Sequence, residues 1–102
     1  MGTVIRAGDC YTDEQVLFTA AAKGLSTGCY YYATNLQARA ALINLESNDI
    51  RYKLNGTAPA ANCGMIFVTG DYLFLDTYDQ IRNFKGINTG GGSSTATVFY
   101  FF

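Results

Sequence analysis

The chain has 102 residues, enough for one domain of ordinary size and too few for two. Hydrophobic residues make up 49% of it and charged residues 15%, and the formal net charge is −1 with no histidine or tryptophan. We therefore expect no nucleic-acid partner, because no basic patch is available to bind phosphates, and no membrane span or secretory signal. The low charge content also favours a surface partly covered by another subunit, the alternative being a weakly charged monomer.

Three cysteines, Cys10, Cys29 and Cys63, are widely spaced along the chain. An odd number without a Cys-x-x-Cys pair or a histidine indicates neither a secreted disulfide framework nor a zinc site. We expect small, buried or half-buried residues, or alternatively one bridge and a free thiol. No metal and no cofactor is expected.

The first third of the chain contains sequence patterns of both strand and helix. Residues 1–9 predict a short strand or an N-terminal arm. Residues 12–15 resemble the start of a helix, with Thr12 as cap and Gln15 completing a capping box. Residues 16–22 mix strand-forming and helix-forming side chains, and we interpret them as a strand.

Three consecutive tyrosines follow at Tyr30, Tyr31 and Tyr32. Neighbouring residues of a strand face opposite sides, so at least one of these rings should lie outside the core. Tyrosine is favoured at contact surfaces, so the cluster predicts an interface; the alternative is a strand edge with rings at the core rim.

The middle of the chain alternates between apolar and other side chains with a period of two. Residues 36–46 predict a long strand with Ala41, Ile43 and Leu45 on one face, and residues 50–54 predict a half-buried strand. Turn residues at 55–59 precede a strand at 64–68, and a reversal at Gly70-Asp71 precedes another at 72–75.

The later residues predict one helical turn, one loop and one long strand. The helical turn falls within the polar residues 76–84. The three glycines at 90–92 lack the lysine of a phosphate-binding loop, so we interpret them as a mobile hairpin loop. The final strand, residues 95–102, carries bulky side chains on both faces, which predicts a central strand or a strand covered by a neighbouring subunit. The predicted interface residues are Tyr30, Tyr31, Tyr32, Phe99, Tyr100, Phe101 and Phe102.

Together these patterns predict about seven or eight short strands with turn signals every 8–12 residues or so. This spacing is typical of an all-β, antiparallel β-sandwich or jelly-roll-like fold, and we assign residues 1–102 to a single such domain.

Several turn and core positions between residues 39 and 102 resemble those of a known class of proteins. The matching positions are Glu46, Ile50-Arg51-Tyr52, Gly56, Pro59, Gly64, Gly70-Asp71, Leu75, Ile81, Phe84, Ile87 and the final Val-x-Tyr-Phe strand. The pattern resembles small β-sandwich structural proteins of tailed phages and prophages. Ala60 departs from the threonine expected after the proline, and residues 1–38 carry no part of the resemblance.

The resemblance implies a virion protein, made in the host cytoplasm, that decorates or cements the capsid as a homo-oligomer. A trimer is favoured, and the implied partners are the major capsid protein or other virion proteins. Two alternatives are a carbohydrate- or receptor-binding module of a tail or fibre, and a small head–tail or tail-associated structural protein.

An enzyme is the third class of function, and we do not expect one. The chain has no histidine to act as a base. The candidate acids and bases are carboxylates scattered among predicted turns, namely Asp13, Glu14, Asp71, Asp76 and Asp79.

Overall fold

The computed structural model describes residues 10–33, 36–60 and 62–102, so the predicted arm at residues 1–9 lies outside it. The described strands are β1 (Cys10–Phe18), β2 (Lys23–Gly24), β3 (Tyr31–Ala33), β4 (Leu36–Gln37), β5 (Ala40–Ser47), β6 (Ile50–Lys53), β7 (Met65–Phe67), β8 (Tyr72–Leu75), β9 (Lys85–Asn88) and β10 (Ser94–Phe101), and the helices are α1 (Thr27–Tyr30) and α2 (Tyr78–Asn83). The all-β prediction is confirmed, with 52% strand against 12% helix.

Eight of these strands form two antiparallel four-stranded sheets. The first sheet has the order β1-β10-β5-β8 and the second the order β2-β9-β6-β7, while β3 and β4 pair with each other. The chain passes directly between these two sheets at five connections, β1–β2, β5–β6, β7–β8, β8–β9 and β9–β10, and it returns from β2 to β5 through the β3–β4 pair. Buried side chains of both sheets and of α2 join in one hydrophobic core cluster.

The C-terminal strand β10 is central, pairing with β1 on one side and with β5 on the other. This is one of the two arrangements predicted from its bulky residues. Val98 and Tyr100 point into the core, and so do Ile43 and Leu45 on the neighbouring β5. The period-two pattern of β5 therefore identified its buried face correctly.

Two predictions in the first third are corrected. The first strand covers Cys10–Phe18 rather than residues 16–22, so residues 12–15 lie within a strand and do not start a helix. The tyrosines begin with a helical turn, because α1 ends at Tyr30 and a strand starts at Tyr31. Pairing with β10 along Cys10–Phe18 outweighs the local helix signal, as tertiary contacts often do.

The predicted helical turn is confirmed as α2, and side-chain hydrogen bonds cap its first turn. The Thr77 hydroxyl accepts a hydrogen bond from the Gln80 backbone N–H at 3.1 Å, and the Gln80 side chain accepts one from the Asp76 N–H at 3.0 Å. The first bond is the N-cap half of a capping box, whereas the second reaches the residue before the cap rather than the N–H of Thr77 itself. The two bonds position Ile81, which is fully buried.

The glycines at 90–92 do not form a hairpin loop, because β9 and β10 belong to different sheets. Gly91 and Gly92 have φ of 82° and 77°, which other residues rarely adopt. The buried Asn88 holds the start of this crossover by donating to the Ser94 hydroxyl at 2.6 Å. The glycines in the sequence indicate a turn, but they do not indicate which two strands the turn connects.

Candidate functional site

The three neighbouring tyrosines occupy different environments. Tyr30 is buried, and its ring centroid lies 5.9 Å from that of Tyr78 and 6.2 Å from that of Tyr100. Tyr31 is 37% exposed. The side chain of Tyr32 lies outside the described part of the structure. Of the two described rings, Tyr31 is therefore the one that a partner can reach.

The four predicted interface residues at the C-terminus also divide between core and surface. Tyr100 and Phe101 are buried, and Phe102 is half-buried and packs against the core. Phe99 is 41% exposed on the opposite face of β10 from Tyr100. Phe99 is therefore the most exposed of these four residues.

A larger exposed apolar surface lies on β7, β8 and the turn between them. We call it the β7–β8 edge, and it consists of Met65, Ile66, Val68, Tyr72 and Phe74, all of them exposed. The two strands are the edges of their respective sheets and are joined by a tight turn, in which the Asp71 N–H donates to the Val68 carbonyl at 3.0 Å. These residues therefore lie along the same edge of the two-sheet structure.

The amino-acid sequence also indicates that this edge is unusually apolar. Residues 65–68 and 72–75 are uninterrupted apolar runs, and a strand with one solvated face should instead alternate with polar residues. Bulky apolar side chains on both faces predict that these two strands are covered on both faces, as they do for the final strand. Together these strands have more apolar faces than one hydrophobic core can bury.

The outer face of the first sheet adds a groove beside this edge. Cross-strand pairing aligns Phe99 with Leu42, and aligns Thr97 with Asn44 and then with Tyr72. The groove has a volume of about 230 Å³. It is lined by Leu42, Asn44, Glu46, Tyr72, Thr97 and Phe99.

Hydrogen bonds hold the polar side chains of the groove in place. The Thr97 hydroxyl donates to Glu46 Oε2 at 2.5 Å, and Gln15 Nε2 donates to Glu46 Oε1 at 3.2 Å. Asn44 Nδ2 donates to the Asp71 carbonyl at 3.3 Å. Both oxygens of the one carboxylate in the groove therefore have defined positions.

The carboxylates considered as candidate acids or bases do not converge. Glu14 accepts hydrogen bonds from the Ser26 N–H and hydroxyl, at 3.0 and 2.6 Å, and from the Tyr100 hydroxyl. Burial and this bond raise the pKa of Tyr100 above its ordinary value. Asp79 instead pairs with Arg82 at 3.2 Å. Glu14 thus links β1 to β10 and to the residue before α1.

The two described free cysteines differ in exposure. Cys63 is exposed, contrary to the expectation of a buried or half-buried residue, whereas Cys29 is half-buried as expected. Burial, with smaller contributions from Glu14 and Asp13, raises the pKa of the Cys29 thiol. The Cys29 thiol is therefore kept in its protonated, less nucleophilic form.

The described residues contain neither a cluster of metal-binding side chains nor a helix long enough to span a membrane. No three carboxylate or cysteine side chains in residues 10–33, 36–60 and 62–102 lie close enough to share a metal ion. Neither α1 nor α2, with four and six residues, has the length to cross a bilayer.

Comparison with known proteins leaves the surface as the main guide to function. No protein-family model matches the chain, and no curated protein or solved structure is significantly similar to it.

Proposed function

We propose that this chain is a structural protein of a phage virion, a capsid decoration or cement protein that acts as a homo-oligomer. The observation that carries the proposal is the β7–β8 edge, where Met65 is 64% and Tyr72 68% exposed. The virion setting comes from the resemblance of residues 39–102 to small β-sandwich virion proteins. A role in assembly is the function that such a surface serves best.

The edge strands support assembly because they lack the charged residues and prolines that protect many sheet edges. Natural edge strands carry lysine, proline, bulges or inward-pointing charges, which prevent pairing with other chains. Neither β7 (Met-Ile-Phe) nor β8 (Tyr-Leu-Phe-Leu) contains a charged residue or a proline. In the free subunit these strands favour association, so a virion partner that covers them is the simplest account.

The proposed partners are further copies of the chain and the major capsid protein. A stable interface buries roughly 800 Å² on each side, rich in aromatic residues and methionine. Met65, Tyr72 and Phe74 are residues of this kind. Closed symmetry lets a few copies cover identical edges, and a trimer is our preferred arrangement.

Mass spectrometry of intact particles, purified from the phage or induced prophage that encodes the chain, tests the virion role. We expect the chain in washed particles, and its copy number relative to the major capsid protein separates a head coat from a tail-associated piece. Absence of the chain from washed particles would reject the proposal.

A further inference from the structure

The groove on the outer face of the first sheet combines features that one class of small ligand shares. Tyr72 and Phe99 provide exposed aromatic surface, and Leu42 adds apolar lining. Asn44, Glu46 and Thr97 add hydrogen-bonding groups to the same lining. From this arrangement we infer that the groove is a binding site for a neutral saccharide.

The apolar part of the groove matches the faces of a sugar ring. Such a ring presents C–H groups on its faces and hydroxyls around its edge. Exposed aromatic rings pack against the former, and tyrosine also offers a polar tip to the latter. Tyr72 and Phe99 lie on β8 and β10, one on each side of β5, so that two aromatic side chains are held on rigid strands.

The polar part of the groove is arranged to meet hydroxyl groups. Thr97 and Gln15 orient the two oxygens of Glu46, and a carboxylate accepts more than one hydrogen bond at each oxygen. Asn44 donates to the Asp71 carbonyl, and its own side-chain oxygen has no hydrogen bond to the described residues. Sugar hydroxyls donate to such oxygens without introducing a charge.

Charge and size favour this ligand over the alternatives. Glu46 is the one charged side chain that the described residues contribute to the lining, so an anionic ligand would be repelled. A protein surface that closed over the groove would have to supply a cation for this carboxylate, because burying it unpaired is costly. The volume of about 230 Å³ is also smaller than a drug-sized pocket, and suits one sugar unit.

NMR titration of the ¹⁵N-labelled full chain tests the inference. The probes are neutral mono- and disaccharides of glucose, galactose, mannose and N-acetylglucosamine, with glucuronic acid as a charged control. We expect saturable shifts of the Asn44 side-chain amide and the Thr97 N–H with at least one neutral sugar, with a Kd on the order of millimolar. Glucuronic acid should bind more weakly than the neutral sugar of the same shape.

Two matched variants locate the site. Phe99→Ala should weaken sugar binding about tenfold, because it removes one of the two rings. Leu17→Ala removes an exposed apolar side chain at the opposite edge of the same sheet, away from the groove, and should leave the Kd unchanged. Both side chains are exposed, so both variants are expected to fold.

Three results would overturn the inference: no saturable shifts with any neutral sugar, shifts confined to other parts of the chain, or equal weakening by both variants. Shifts at the groove that depend on protein concentration without sugar would instead assign it to a second copy. The inference does not depend on the virion role, although Tyr72 belongs to both the groove and the β7–β8 edge. Ile66→Asp places a charge in the β7–β8 edge and should weaken self-association, but Ile66 does not line the groove, so this variant should bind sugar like the wild type.

Discussion

At the scale of single residues, the carboxylate of Asp49 joins the turn after β5 to the turn after β7. Its Oδ1 accepts hydrogen bonds from the Thr69 N–H at 2.8 Å and the Thr69 hydroxyl at 2.9 Å. These bonds favour the ionised form and lower the pKa of Asp49 below its ordinary value of 3.8. A lowered pKa in the folded state means that ionised Asp49 stabilises the fold.

Replacing Asp49 with asparagine should therefore have a pH-dependent effect. The variant keeps an acceptor oxygen but loses the charge, so near neutral pH it should melt at a lower temperature than the wild type. The contribution is present above the unfolded-state pKa and is lost as pH falls through the lower, folded-state value. Melting curves by circular dichroism at about pH 7 and about pH 2 measure the difference.

The control for this experiment is Asp76→Asn, at an exposed carboxylate that directly follows the last residue of β8. At neutral pH, Asp76→Asn should change the melting temperature by less than Asp49→Asn does. A gap between wild type and Asp49→Asn that stays constant from neutral to acid pH would contradict the assigned role of the Asp49 charge.

At the scale of elements, β10 shows how one strand serves both core and surface. Its pairing with β1 and β5 satisfies both backbone edges, so its stability does not depend on a partner chain. Tyr100 on its inner face is fully buried, whereas Phe99 on its outer face is substantially exposed. Phe101 shares the outer face with Phe99 but is buried at 4% exposure.

A pair of charge substitutions on β10 tests this difference. Phe101→Asp should destabilise the fold by about 3 kcal/mol or more, because it places a carboxylate in a buried position without a partner. Phe99→Asp, two residues away on the same strand face, should cost about 1 kcal/mol or less. Urea unfolding of both variants provides the comparison, and similar costs would show that Phe101 is not buried as described.

At the scale of the whole molecule, the exposed apolar side chains are distributed unevenly. Five of the eight large exposed apolar residues among the described positions lie on β7, β8 or the turn between them. Leu17 lies on β1, at the opposite edge of the first sheet. The asymmetry predicts association through one side of the sandwich.

Light scattering of the purified chain tests this association. We expect the wild type to exceed its subunit mass of 11.1 kDa, with three times that mass for the preferred trimer. Ile66→Asp should shift the population towards monomer, because a charge at the interface would be buried unpaired. Leu17→Asp, the matched change at the opposite edge, should not. A monomeric wild type at high concentration would contradict the prediction.

The regular strands were the part of the fold that local pattern could predict. Alternation identified β5 and β6, and uninterrupted apolar runs identified β7, β8 and β10, but the single strand predicted over residues 36–46 is divided into β4 and β5, which belong to different sheets. The pattern failed at α1, where a single helical turn has too few residues to show a period. It failed again at residues 90–92, because glycines mark a turn in the same way whether the chain returns to its own sheet or crosses to the other.

For the surface, the sequence by itself determined that this all-β chain carries more apolar strand faces than one small core can bury. Which of those faces stay uncovered was decided only by the tertiary structure. β10 lies between β1 and β5, while β7 and β8 lie at the sheet edges, and this order leaves Met65, Ile66 and Tyr72 exposed while Val98 and Tyr100 are buried. Strand order depends on pairing between residues far apart in the chain, and the period of a single strand carries no record of it.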